Sequence, residues 1–246
     1  MKHLNISEIN RYSRQLMLED VGLDGQMKIK EAKVLVVGAG GLGCPVLQYL
    51  NAAGIGTLGI VDFDRVEIHN LHRQILYDTA DLGKPKALTA MHKLQQSNPH
   101  VVYQVWDELL EESNAAGIIA QFDVVVDGSD NFLTRYLVND VCVSLGKPLV
   151  YGSILGSEGQ LAVFNYKGGK HLRDLFPEPP DPADVPSCSE NGVLGVVPGI
   201  IGSMMCDLVL KVVLGKNVPA DKLFLFDLNG YSLSFINYSS DENTYL

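Results

Sequence analysis

The run Lys33-Val-Leu-Val-Val-Gly-Ala-Gly-Gly-Leu-Gly-Cys-Pro45 constrains the fold more than any other stretch of this chain. A continuous apolar strand breaks directly into G-x-G-x-x-G, and each glycine has a task there. Gly38 lets the chain turn sharply out of the strand, Gly40 lets backbone N–H groups approach a phosphate, and Gly43 lets the following helix pack closely. The helix N-terminus adds free N–H donors and the positive end of its dipole, which together favour an anion. Asp62 closes the next expected strand, about 20 residues on, where a carboxylate can hydrogen-bond ribose hydroxyls. A nucleotide is expected at this turn. The glycines alone do not say which one.

The 246 residues, 46% hydrophobic, suffice for one large α/β core and are read as a single domain. It comprises an N-terminal helical arm (about 5–30), a nucleotide-binding core (about 31–150) and an antiparallel extension with a mobile loop (about 151–246). The net charge of −10 argues against general binding to nucleic acid or a membrane surface. Neither a signal-peptide pattern nor an apolar run of about 18 residues stands out, so a cytoplasmic protein is expected. The four cysteines, Cys44, Cys142, Cys188 and Cys206, form no C-x-x-C pair, hence no disulfide framework and no zinc spacing. Cys142 and Cys206 lie in apolar helical patterns, whereas Cys188 lies in the polar loop Pro186-Ser-Cys-Ser-Glu-Asn-Gly192.

Strands and helices alternate along the first half. An amphipathic helix at Ser7–Leu18 carries Arg11 and Arg14. It is followed by a strand at Val34–Val37, a helix at Gly41–Ala53, a strand at Leu58–Asp62, a helix at Lys84–Gln96 and a strand at Val101–Val105. A short helix near Ala115–Gln121, a strand at Val124–Asp127 and a helix at Asn131–Leu145 complete the series. Continuous apolar strands in βαβ order imply a Rossmann-like, mostly parallel sheet with helices on both faces. The rhythm then changes to short strands at Leu149–Ser153, Gln160–Asn165, Leu223–Asp227 and Ser232–Asn237, an antiparallel extension. Between them lie a Pro-rich polar segment, Lys167–Asn191, and a nearly all-apolar helix, Gly199–Leu214, suited to burial or a subunit interface.

Beyond Asp62 come Asp62-Phe-Asp-Arg-Val-Glu-Ile-His-Asn-Leu-His-Arg-Gln74, Gly83-Lys-Pro-Lys86 and Asp127-Gly-Ser-Asp-Asn131. With Arg11-Tyr-Ser-Arg-Gln15 and Cys188, the chain resembles the ThiF/MoeB/HesA family, relatives of the ubiquitin-activating enzymes, from about residue 5 to 236. The resemblance implies an adenylyltransferase that uses ATP and Mg²⁺ to activate the C-terminal glycine of a ubiquitin-like sulfur-carrier protein, releasing pyrophosphate. It implies that Arg14 comes from the other subunit of a homodimer, that Asn70 and Arg73 hold phosphate, and that Lys86 bridges phosphate groups. It further implies that Asp130 binds Mg²⁺, that Asp62 holds the ribose, and that Gly41 and Asn131 line the nucleotide. These residue types suit the chemistry, because transfer at phosphorus is catalysed mainly by positioning and by cationic stabilisation. Cys188 stands where ThiF-like members carry a cysteine able to bind the carrier covalently.

The chain departs from the family at His69, which replaces a serine common in the family's pattern, and at the zinc positions. Where many relatives hold zinc with two C-x-x-C pairs, the first pair's positions read His171 and Asp174, and the C-terminal stretch has no cysteine, so no zinc is expected. No sulfurtransferase extension is evident, so a separate sulfur donor is expected. Two other readings compete. An NAD(P)-dependent oxidoreductase would explain the glycines but not Arg14, Arg73, Lys86 and Asp130. A divergent, non-catalytic binder of a ubiquitin-like tail would explain the missing cysteines.

Overall fold

The strand before the glycine turn forms as β1 (Lys33–Val37), because its Val-Leu-Val-Val run is apolar on both faces and buried on both. In the computed structural model, which describes residues 3–180 and 192–238, it is followed by β2 (Thr57–Val61), β3 (Val102–Trp106), β4 (Val124–Asp127) and β5 (Leu149–Leu155). Then come β6 (Glu158–Phe164), β7 (Lys222–Asp227) and β8 (Ser232–Asn237). They make one sheet in the order β3-β2-β1-β4-β5-β6-β7-β8. Pairings through β5 are parallel, and β5 to β8 pair antiparallel, as the change of rhythm after Pro148 implies.

The helices are α1 (Ile6–Arg11), α2 (Ser13–Leu16), α3 (Gly22–Glu31), α4 (Gly43–Ala53), α5 (Lys86–Ser97), α6 (Ala115–Ile119), α7 (Phe132–Leu145), α8 (Leu172–Leu175) and α9 (Val196–Leu214). They cover both faces. Val34, Val36, Leu58, Ile60 and Val126 pack with α4, α5 and α9 in one core, while Leu35, Val37, Val61 and Val125 pack with α6 and α7 in the other. The two-residue period of a strand accounts for that division.

Several boundaries differ from expectation for identifiable reasons. The helix expected over Ser7–Leu18 is two pieces, because Tyr12 leaves the helical path (φ −94°, ψ 10°) and buries its ring where any side chain on Gly54 would sit. Its hydroxyl accepts from Asn98 Nδ2 at 2.9 Å. The helix expected from Lys84 begins at Lys86, since Gly83 has φ +79° and Pro85 is extended at ψ 129°. The helix expected from Gly199 begins at Val196, with Pro198 in its first turn, where no intrahelical N–H bond is lost. Helix α9 is long and apolar enough to cross a membrane, contrary to the expectation that no such run exists. Half of it is buried, and it packs on α4, β5 and β6, so its apolarity is that of a core helix.

The segment expected to be a structureless loop from Lys167 holds α8 and is tied to α7 as far as residue 178. Arg173 donates to both oxygens of Asp140 at 2.8 Å and to the Pro177 carbonyl at 2.7 Å. Tyr136 Oη lies 2.9 and 2.8 Å from the carbonyl oxygens of Phe176 and Glu178. Residues 181–191, including Cys188, lie outside the described residues.

Candidate active site

Strand β1 has β2 on one side and β4 on the other, so the strand order reverses there, and a crevice beyond the carboxyl ends is the natural ligand site. Val37 is in register with Val61 and with Asp127, which brings the following residues Gly38, Asp62 and Gly128 to one edge. Gly38 has φ +89°, and a Cβ there would lie 2.8 Å from the Gly128 carbonyl oxygen, so the turn requires glycine twice over. A Cβ at Gly43 would collide with the Gly38 carbonyl, so α4 is seated directly on the turn.

Asp62 is the hub of the turn. Its Oδ2 accepts from the Ala39 N–H at 2.7 Å and its Oδ1 from the Asp64 N–H at 2.8 Å. Burial pushes its carboxyl pKa up, against the opposing pull of the Lys86 charge. Lys86, the first residue of α5, is only 5% exposed, and its Nζ lies 2.8 Å from Asp64 Oδ2. Glycine turn, Asp62, Asp64 and Lys86 thus form one continuous chain of contacts. Both carboxylate oxygens of the buried Asp62 are thus taken by backbone N–H groups, which orients the turn.

Asn70 ends a 3₁₀ turn, Ile68–Asn70, in which its Oδ1 accepts from the Glu67 N–H at 3.1 Å. Its carbonyl accepts from the Arg73 N–H at 3.0 Å, so Asn70 sets the start of the Arg73 segment. Arg73 is half-buried, its Nη1 donates to the His69 carbonyl at 2.9 Å, and its Cδ lies 3.7 Å from where a Gly41 Cβ would be. Asp130 is exposed, with no hydrogen-bond or ion-pair partner among the described residues. The cap of α7 is Asn131, whose Oδ1 accepts from the Thr134 N–H at 2.9 Å, which leaves the Asp130 carboxylate free. Arg14 stands apart on α2, exposed, with a 3.6 Å contact to Met17 Sδ and none to Arg73, Lys86 or Asp130.

The residues present fit a magnesium nucleotide. The Gly40 N–H has no hydrogen-bond partner among the described residues, and the buried Gln74 amide beside it leaves its Oε1 unpaired. Asp130 offers a free, hard oxygen donor of the kind Mg²⁺ takes. His171 and Asp174 form the capping box that starts α8, in which the His171 N–H donates to Asp174 Oδ2 at 2.8 Å.

Sequence reasoning missed two features of the site. Under the Asp130 loop, the buried Arg135 donates through Nε to Asp127 Oδ2 at 3.2 Å and through Nη2 to the Ser129 carbonyl at 3.3 Å. Its guanidinium also lies over Phe132 and Tyr151. A cation one turn into an apolar helix was the available signal. Tyr77, whose hydroxyl lies 2.9 Å from the Ala39 carbonyl, gave none, because its role depends on which backbone atoms the fold brings beneath it.

Comparison with known proteins is consistent with this geometry. The ThiF family model matches residues 12–245. A "Sulfur carrier protein adenylyltransferase" of Thermus thermophilus is 54% identical over 226 residues, covering 89% of this chain and 83% of that protein. The "Adenylyltransferase and sulfurtransferase MOCS3" of Danio rerio is 51% identical over 225 residues, 91% of this chain and 49% of that one. The "Probable adenylyltransferase/sulfurtransferase MoeZ" of Mycobacterium tuberculosis is 45% identical over 246 residues, 98% and 63%. The chain therefore spans about half the length of the MOCS3 relatives it matches. Among solved structures, PaaA superposes with a TM-score of 0.82 at 22% identity, covering 97% of this chain and 76% of that one. E. coli MccB crystallised with ATP gives 0.79 at 21%, covering 94% and 72%. These two likenesses show the fold alone. With the family model matching nearly the whole chain and a relative more than half identical, the chain belongs to the ThiF family.

Proposed function

We propose that this protein is an ATP-dependent adenylyltransferase that activates the C-terminal carboxylate of a ubiquitin-like sulfur-carrier protein. The observation that carries the reading is the linked set Ala39–Asp62–Asp64–Lys86 at the point where the strand order reverses, beside unpaired N–H groups of the glycine turn. The 54% identity to a sulfur carrier protein adenylyltransferase supports the substrate class.

A carrier carboxylate oxygen forms a bond to the α-phosphorus of ATP, and the bond to the bridging oxygen of pyrophosphate breaks. Negative charge gathers on the transferring oxygens and on the leaving pyrophosphate. Lys86 and Arg73 are placed to neutralise it, with the N–H groups of the glycine turn as further donors. Asp130 is the residue suited to hold Mg²⁺, which when bound supplies charge neutralisation at the phosphates. Arg14, exposed and apart from these groups, completes the site of a partner subunit in a homodimer. Exposed Met17, Leu18, Leu23, Tyr49, Val196 and Ile200 give that association apolar surface.

The test is to incubate the protein with ATP, Mg²⁺ and purified ubiquitin-like carriers from the same organism and to look by mass spectrometry for a carrier bearing AMP on its terminal carboxylate. One carrier so modified is expected. Nucleotide bound with no carrier modified would favour the non-catalytic binder, and tight NAD(P) binding without ATP binding would favour the oxidoreductase.

A further inference from the structure

The peptide units on either side of Ala39 are each held at their Ala39 end. The Ala39 N–H is held by Asp62 Oδ2 at 2.7 Å, and its carbonyl accepts from the Tyr77 hydroxyl at 2.9 Å and more weakly from Cys44 Sγ at 3.4 Å. Among the described residues every peptide bond is trans. In a trans peptide the C=O and the following N–H point in opposite directions. Tyr77 is 5% exposed and packs in the core with α4 and α5, so it draws the Ala39 carbonyl inward and turns the Gly40 N–H outward. Among the described residues that N–H has no partner, and the Gln74 amide alone approaches the place of a Gly40 Cβ, at 3.6 Å.

We infer that Tyr77 is a positioning residue for nucleotide binding, whose hydroxyl orients the Gly40 N–H toward an anionic oxygen of the bound triphosphate. The inference rests on the reading of the site as an ATP site. The same hydroxyl lies 3.3 Å from the carbonyl of Lys86, so one proton is shared between the glycine turn and the first residue of α5. The glycine turn and the backbone at the start of α5 are thereby tied together from beneath. Burial pushes the phenol pKa upward, which keeps Tyr77 a donor throughout the working pH range. Phenylalanine would keep the packing and free the carbonyl, and the 39–40 peptide could then rotate.

Calorimetric titration with Mg–ATP, without carrier, tests this on the wild type, Tyr77→Phe and Tyr103→Phe. Tyr103 is the control, a tyrosine whose hydroxyl donates to Asn51 Oδ1 at 2.5 Å away from the turn. Tyr77→Phe should raise the Kd for Mg–ATP about tenfold, the scale of one hydrogen bond to a charged group. Tyr103→Phe should lower Tm and leave Kd unchanged. Wild type that binds and Tyr77→Phe that binds equally well, whatever its Tm, would overturn the inference alone. Wild type that does not bind Mg–ATP would overturn the functional reading together with it. A second readout needs no variant. The Gly40 amide proton of the wild type should move on adding Mg–ATP, and a stationary Gly40 resonance would refute the role of Tyr77.

Discussion

A lysine ammonium withdrawn from water costs several kcal/mol unless it is paired, and among the described residues Lys86 has one carboxylate partner, Asp64, half of whose side chain faces solvent. Such a charge is held in one place and is still available to an incoming anion. Lys86→Ala should therefore slow ATP–pyrophosphate exchange about 100-fold, the scale of losing a preorganised contact to developing charge. Arg73→Ala should do the same, as its Cδ lies 3.7 Å from the place of a Gly41 Cβ. Near-normal exchange in both variants would mean that the triphosphate lies elsewhere. Asp130→Ala should slow exchange and raise the Mg²⁺ concentration needed for half-maximal rate. A lower rate with an unchanged Mg²⁺ requirement would assign Asp130 another role.

At the scale of elements, Arg173 and Asp140 staple α8 to α7. The two hydrogen bonds from Arg173 hold the Asp140 carboxyl below the usual carboxylate range. The folded state thus takes up this proton less readily than the unfolded chain. The stabilisation is fully present above the unfolded value of about 3.9 and is lost as pH falls through the lowered native value. Because the pair is partly exposed, Asp140→Asn should lower Tm only slightly near neutral pH, and the difference should vanish in strong acid. A difference that grew on acidification would contradict this assignment.

This staple also marks where sequence stops being informative. Continuous apolar strands, glycine stops at Gly54 and Gly146 and the change of rhythm after Pro148 reveal the element order, because each is a local property of the chain. The break at Tyr12 and helix α8 were not legible, since they depend on Asn98 and on Asp140 and Tyr136, which are distant in sequence. The site divides the same way. Glycine turn, Asp62 and Lys86 carry motif signals, while Tyr77 and the Asp127–Arg135 pair are set by tertiary contact.

For the whole molecule, the single chain gathers every candidate cation at the crevice except Arg14. If Arg14 acts in the partner's site, mixing Arg14→Ala with Lys86→Ala protein should restore activity that neither has alone, because each mixed dimer contains one site with both residues intact. No recovery after subunit exchange, or a fully active monomer by light scattering, would contradict the shared site. The central claim is that this geometry adenylates a carrier's C-terminus, and ATP–pyrophosphate exchange measures that step directly. Exchange should be stimulated by one intact ubiquitin-like carrier, absent when that carrier lacks its terminal glycine, and reduced about 100-fold by Lys86→Ala. Exchange indifferent to the carrier's terminal glycine, or to Lys86, would contradict the account.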